Sequence, residues 1–159
     1  MPGGFCGKDK DYKANDDYYT LKETWQLVEP YIPKDKVLWE AFYGSGSSAK
    51  FLREFGFQVV SRNEDFFTMN EGDIIVTNPP FSIKKEILSR LYELGKPFCL
   101  IMPYEVLFYK YFEPFQSSIQ LIIPKKRMNF TKGGVLVKFN YDCVFFCWKM
   151  NLPKDIIFV

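Results

Sequence analysis

The 159-residue chain contains no histidine. That excludes Ser–His–Asp and Cys–His nucleophilic pairs, imidazole acid–base catalysis and histidine-ligated metal sites. Any chemistry must run on carboxylates, amides, hydroxyls, backbone groups or a bound cofactor. The cysteines Cys6, Cys99, Cys143 and Cys147 lack the paired CxxC spacing of a zinc site, and no metal is expected. Cys143 and Cys147 lie on one face of a strand-like run and read as buried thiols. No apolar run approaches the roughly 18 residues of a membrane span, and Met1-Pro2-Gly3-Gly4 opens no apolar signal core. These absences imply an intracellular protein, in cytoplasm or nucleus, neither secreted nor membrane-bound. Net charge is only +2, so nucleic-acid binding, if present, must come from local patches rather than the whole surface.

What is abundant is aromatic: 17 Phe and 10 Tyr, within a composition 47% hydrophobic and 25% charged. That balance argues for a folded globular chain rather than a disordered one. Most of the rings must be core, because large rings bury much apolar area in a small domain; others can serve as stacking surfaces.

Residues 1–17 are polar and aperiodic and read as a mobile arm; residues 18–159 read as one domain, the length being ordinary for a single core. Thr20-Leu21-Lys22-Glu23 has the capping-box pattern of a helix start. Short strands are predicted at Lys36–Glu40, Phe57–Val60, Asp73–Thr77, Phe98–Met102 and Ile119–Ile123, with late strands at Val135–Phe139 and Asp142–Trp148. Helices fall between them, from about Ser48 to Phe55 ending at Gly56, and after Ser82 as N-cap, closed by Gly95. Strands alternating with helices, then a strand-rich end, predict an α/β layer sandwich.

Glu40-Ala41-Phe42-Tyr43-Gly44-Ser45-Gly46 sits between the first of these strands and its helix, where ligands bind in open α/β sheets. Gly44 and Gly46 let the backbone turn sharply beside a ligand, and the helix N-terminus beyond offers N–H groups to a carboxylate. No Gly-Lys-Ser/Thr follows and no third glycine is present, so this is neither a P-loop nor a dinucleotide fingerprint. Glu64-Asp65-Phe66-Phe67 follows the next strand. A carboxylate there can bind ribose hydroxyls or an adenine amine, with a Phe stacking beside it; the alternative is an ordinary solvated loop.

Asn78-Pro79-Pro80-Phe81 is the most informative segment. At average proline usage a Pro-Pro pair at a given place is roughly a 1-in-400 event, and this one directly follows an apolar strand. Two prolines fix the backbone and remove two donors, leaving the carbonyls and the Asn amide for another partner. A planar NH2 group suits that arrangement. The Asn78 side-chain oxygen and the Pro79 carbonyl can each accept one amine hydrogen, which localises the nitrogen lone pair and stabilises positive charge developing on it. Phe81 can stack on the ring that carries the amine.

Taken together, these segments resemble the class I S-adenosylmethionine-dependent amino-methyltransferases with an (Asn/Asp)-Pro-Pro-(Tyr/Phe/Trp) motif, such as adenine-N6 methyltransferases of DNA and RNA. The likeness runs from about Tyr18 to Phe81 and more weakly to Trp148. It implies S-adenosylmethionine as cofactor, with S-adenosylhomocysteine as product, and an abbreviated Rossmann-like sandwich: a mixed, mostly parallel sheet with an antiparallel strand near the C-terminus. By the same resemblance Tyr19 and Thr20 belong to the segment holding the methionine part of the cofactor. Glu40, Phe42, Gly44 and Gly46 belong to the first cofactor loop, and Asp65 and Phe66 lie at its adenine ring. Pro79, Pro80 and Phe81 accompany Asn78 in the catalytic motif, and Asn78 also borders the cofactor. Ala41 stands where the family often has proline. The dozen residues between Val60 and Asp73 are too few for the usual helix and full third strand, so the ribose acid is Glu64 or Asp65.

The expected reaction is methylation of the N6 amine of adenine in DNA or RNA. The alternatives are methylation of a protein glutamine amide and a non-catalytic subunit that binds a partner or RNA. Lys125, Lys126 and Arg127, with Phe130, are the candidate substrate contacts, phosphates to the cations and a base to the ring; a plain solvated loop is the other reading. No segment is large enough for a separate target-recognition domain. The substrate is therefore expected to present an unpaired or flipped adenine, or a partner protein to supply recognition.

Overall fold

The computed structural model describes residues 18–137 and 141–159; the arm expected over residues 1–17 lies outside them, as does Cys6. Strands form where apolar residues run consecutively. In chain order they are β1 (Tyr19–Thr20), β2 (Val37–Trp39), β3 (Gln58–Val60), β4 (Ile74–Thr77), β5 (Phe98–Pro103), β6 (Ile119–Ile123), β7 (Phe130–Lys132), β8 (Val135–Val137), β9 (Cys143–Trp148) and β10 (Ile156–Phe158). The helices are α1 (Lys22–Gln26), α2 (Ser47–Glu54), α3 (Lys84–Leu94) and α4 (Glu113–Gln116).

Seven strands form one sheet in the order β10-β6-β9-β5-β4-β2-β3. All neighbours pair parallel except β9, which runs antiparallel between β5 and β6. The expected mixed sheet with a late antiparallel strand is therefore present. The sheet ends at β3, and the stretch from Val60 to Asp73 holds only a 3-10 turn, Phe66–Thr68, as its length required. Beyond β6 the unanticipated β10 extends the other edge.

Alternation along the central strands divides two cores. Phe98, Leu100 and Met102 of β5 face α3 and the rings of Phe112 and Phe115, with Trp39, Ile75, Phe146 and Trp148 in the same cluster. Cys99 and Ile101 face the other way, toward Trp25, Leu52, Phe145 and Phe130. Cys143 and Cys147 share that second face and are buried free thiols, as their spacing implied. Each face of the sheet is covered, which is why the central strands read as continuous apolar runs.

A second sheet, β1-β7-β8, is antiparallel throughout. Gly133 and Gly134, both at positive φ, make the two-residue turn between β7 and β8. The predicted strand at Val135–Phe139 belongs to this hairpin and not to the main sheet. Two helix starts differ from expectation. Leu21, not Thr20, is the N-cap of α1, because Thr20 is a strand residue. Ser82 lies inside a 3-10 turn, Phe81–Ile83, and α3 begins two residues later with Ile83 as N-cap. Gly56 and Gly95 adopt positive φ at the ends of α2 and α3, as read. No helix among the described residues is long and apolar enough to cross a membrane.

Candidate active site

The parallel strands β2, β3, β4, β5 and β6 all end at one edge, and the antiparallel β9 begins there. The residues singled out by sequence gather along it. Glu40 follows β2. Its side chain is almost fully buried; Oε1 accepts from the Phe42 backbone N–H at 3.0 Å and from the Thr77 hydroxyl. Burial lifts this carboxyl to about 8, against the lowering pull of the Thr77 and Phe42 hydrogen bonds. Glu40 thus holds its proton more tightly than an ordinary carboxyl does, beneath the glycine loop and next to the residue preceding Asn78.

The loop itself needs its glycines. Gly46 has φ +82, and a Cβ there would meet the Tyr43 hydroxyl at 3.0 Å. Gly44 has φ +57, and a Cβ there would stand 3.1 Å from the Tyr19 ring. The space over Gly46 is thus taken by Tyr43 rather than left open, and the positive φ is what bars other residues. The Gly44 contact brings Tyr19 onto the loop, so the Tyr19–Thr20 segment and the glycine loop lie side by side.

Asn78 follows β4, with Pro79 and Pro80 buried behind it. Its Nδ2 donates to Thr20 Oγ1 at 3.0 Å, across 58 positions of sequence. Its Oδ1 is buried and has no partner among the described residues. An unsatisfied buried acceptor costs on the order of 1–3 kcal/mol, and such atoms are rare enough in folded proteins to demand a reason. Here one amide hydrogen is spent on fixing the side chain while the oxygen stays unused. Thr20 is held in turn by strand pairing with Phe130. The short strand β1, missed in the sequence, thus turns the amide.

Other expected residues behave differently. Asp65 caps the 3-10 turn, its Oδ1 accepting from the Phe67 N–H at 3.0 Å; Glu64 is exposed beside it. Phe66 is fully enclosed, packed on Phe42 at 4.8 Å and Trp39 at 5.5 Å between ring centroids. It has no face open to a ligand, because the short segment after β3 plugs the core with this ring. Phe42 is likewise turned into the core. Phe130 is also buried, at 1% exposure, so its proposed role in stacking on a base is overturned: its strand faces it into the core beside Trp25. Lys125, Lys126 and Arg127 remain exposed after β6. They rim a cavity of about 410 Å³ shared with Leu21, Thr24 and Leu27, and Arg127 pairs with Asp142 at 3.0 Å.

Sequence reasoning missed Ser61. It directly follows β3 at the ligand edge, and its Oγ is a second buried oxygen with no partner among the described residues. A small hydroxyl residue immediately after a strand was the available signal, overshadowed by the acids that follow it.

The family described as adenine-specific methyltransferase EcoRI matches residues 58–129, a stretch that contains Asn78–Phe81 but is less than half of the chain. No curated protein matches the chain in sequence. Among solved structures, a Pyrococcus horikoshii protein described as a candidate RNA methyltransferase superposes with TM-score 0.56 at 14% identity, over 79% of this chain and 81% of that one. A precorrin-6y C5,15-methyltransferase from Geobacter metallireducens gives 0.46 at 14% identity, over 87% and 99%. TrmN from Thermus thermophilus gives 0.36 at 15% identity, over 81% and 48%. The fold conclusion rests on the first of these: the chain has the Rossmann-like sandwich of methyltransferases. The family match and that fold together support an S-adenosylmethionine-dependent methyltransferase.

Proposed function

We propose that the protein transfers a methyl group from S-adenosylmethionine to the N6 amine of adenine in DNA or RNA. The observation that carries this reading is the Asn78 amide, anchored through its nitrogen by Thr20, its buried oxygen without a partner among the described residues, next to two prolines. A group built to donate would be anchored the other way round. An acceptor at this place suits an NH2 substrate, and the family match over Asn78–Phe81 favours adenine among such substrates.

The cofactor fits the same edge. The Gly44–Gly46 turn, with the Tyr19 and Tyr43 rings against it, would border it, and the N-terminus of α2 suits its carboxylate. Glu40 beneath the loop suits a cationic amine, and Ser61, Glu64 or Asp65 after β3 suits ribose hydroxyls. When bound, S-adenosylmethionine supplies an electrophilic methyl group.

The chain's own residues then do three things. Asn78 Oδ1 and the Pro79 carbonyl each accept one amine hydrogen, drawing the lone pair out of the aromatic ring. They stabilise the charge that grows on nitrogen as its bond to the methyl carbon forms, an electrostatic effect preorganised by Thr20. Phe81 holds the base plane, and the surplus proton leaves to water. No histidine is needed.

The test is direct. Short DNA and RNA oligomers are incubated with the protein and labelled methyl donor, digested, and their nucleosides resolved by mass spectrometry. N6-methyladenosine or its deoxy form is the expected product. No label on any nucleic acid with donor bound would overturn the reading in favour of an amide substrate or a non-catalytic subunit.

A further inference from the structure

Outside the residues used above, the same edge of the sheet carries an arc of exposed aromatic rings. Tyr104, Phe108 and Tyr109 follow β5 directly; Tyr104 is 45% exposed and Phe108, at 78%, is the most exposed large apolar side chain among the described residues. Tyr141 stands before β9, and antiparallel pairing of Pro103 with Cys143 brings it to this edge. Its ring meets Phe81 edge-on, with centroids 6.5 Å apart. The Tyr104 N–H donates to the Asp142 carbonyl at 2.9 Å, so the backbone that carries Tyr104 is joined to the segment that carries Tyr141, and Phe108 follows in the same turn. The Asp142 carboxylate pairs with Arg127 at 3.0 Å, which brings the Arg127 guanidinium close to the Tyr141 segment.

Tyr109 packs on Tyr111 and Tyr141 on Phe81, but burial accounts for neither Tyr104 nor Phe108. Val106, which lies between Tyr104 and Phe108, is fully buried, and Leu107 packs against the core; the turn is secured by them. Leaving a Phe in water forgoes the burial that normally draws such a ring into a core. The surroundings also narrow the partner. β5 and β9 are interior strands paired on both sides, so no open strand edge is available for an extended peptide to join. Exposed aromatic faces near cations suit unpaired bases and their phosphates, since every base has a face to stack and a duplex hides it; the Asp142 and Glu105 carboxylates stand at the same place, Asp142 matched by Arg127.

We infer that Tyr141, Tyr104 and Phe108 form a stacking platform for unpaired bases flanking the target in a single-stranded polynucleotide, with Lys126 and Arg127 meeting its phosphates. This rests on a nucleic-acid substrate, but not on adenine being the base that is modified. It also accounts for how a chain with no distinct recognition domain among its described residues would hold a strand: the strand lies along the sheet edge and enters the site past Phe81.

The experiment uses labelled oligomers without adenine, twelve-residue oligo-dT and oligo-U, so that binding is read apart from methyl transfer. Fluorescence anisotropy on the full chain gives affinities for wild type, Tyr104→Ala/Phe108→Ala and Phe108→Trp. Because both side chains are exposed, the fold should survive, which thermal melting and cofactor affinity verify. The double variant should bind at least one of the oligomers about tenfold or more weakly, the scale of losing base stacking. Phe108→Trp should bind as wild type does, and a duplex of equal length should bind less tightly than the single strand. Equal affinity of wild type and double variant, no binding of either oligomer by wild type, or tighter binding of the duplex would each overturn the platform. Platform binding with no methylated adenine in the nucleoside assay would sink the proposed reaction alone.

Discussion

The loops after β3 and after β4 stand at the same edge, two strands apart, and both place polar and aromatic residues where ligands bind. They differ in what those residues do. After β3, Asp65 spends an oxygen on the Phe67 N–H and Phe66 spends its whole ring on the core. After β4, Asn78 spends only its nitrogen, on Thr20, and keeps its oxygen. An oxygen satisfied within its own loop, as in Asp65, has less to offer a ligand than a buried acceptor at the ligand edge without a partner among the described residues, as in Asn78. Residue type alone did not separate the two; hydrogen-bond accounting does.

The comparison can be broken from either side. The largest effect expected is on stability at the β3 side. Phe66→Ala should lower unfolding free energy by about 3–5 kcal/mol, the scale of emptying a buried aromatic site, as read by denaturant titration. If it instead left stability intact and abolished cofactor binding, the ring would be a ligand contact after all.

The next effect concerns the acid between the two loops. Glu40 has its carboxyl raised from 4.5 to about 8 by burial, so the folded chain binds a proton that the unfolded chain has released. The stability this confers is fully present below about pH 4.5 and is lost as pH rises through about 8, a change on the order of a few kcal/mol. Glu40→Gln, neutral throughout, should flatten that part of the profile and melt higher than wild type at pH 8.5 without ligand. Parallel melting curves for the two proteins from pH 5 to 9 would show that Glu40 is not the titrating group.

The smallest effect sharpens the β4 side. Thr20→Val preserves shape and removes the acceptor that orients Asn78. Turnover should fall roughly tenfold with little change in the substrate constant, and Thr20→Ser should restore it, a loss on the scale of one hydrogen bond. A rise in the substrate constant alone would mean that Thr20 binds rather than positions.

Much of the fold was legible because the central strands are apolar on both faces and glycines mark the helix ends. What could not be read was made by pairing rather than by pattern. β1 is two residues long and β7 three, too short for any periodicity, yet together they carry Thr20 to Asn78 and turn Phe130 inward. The Thr20–Glu23 spacing fits a capping box, but the threonine is drawn to an amide distant in sequence. The glycine loop and Asn78–Phe81 were legible because their chemistry is local. Ser61 and the Tyr104–Phe108 arc were not, since a lone serine or tyrosine carries meaning only once the sheet edge is assembled.

The central claim is that the unpaired Asn78 oxygen polarises the amine. The measurement that tests it most directly is single-turnover methyl transfer by wild type, Asn78→Ala and Asn78→Asp, alongside calorimetric cofactor affinity for each. Asn78→Ala should lose roughly 10²-fold or more in rate while cofactor affinity falls far less, and Asn78→Asp, which keeps an acceptor in place, should retain more activity than the alanine variant. A wild-type rate in Asn78→Ala would contradict the account.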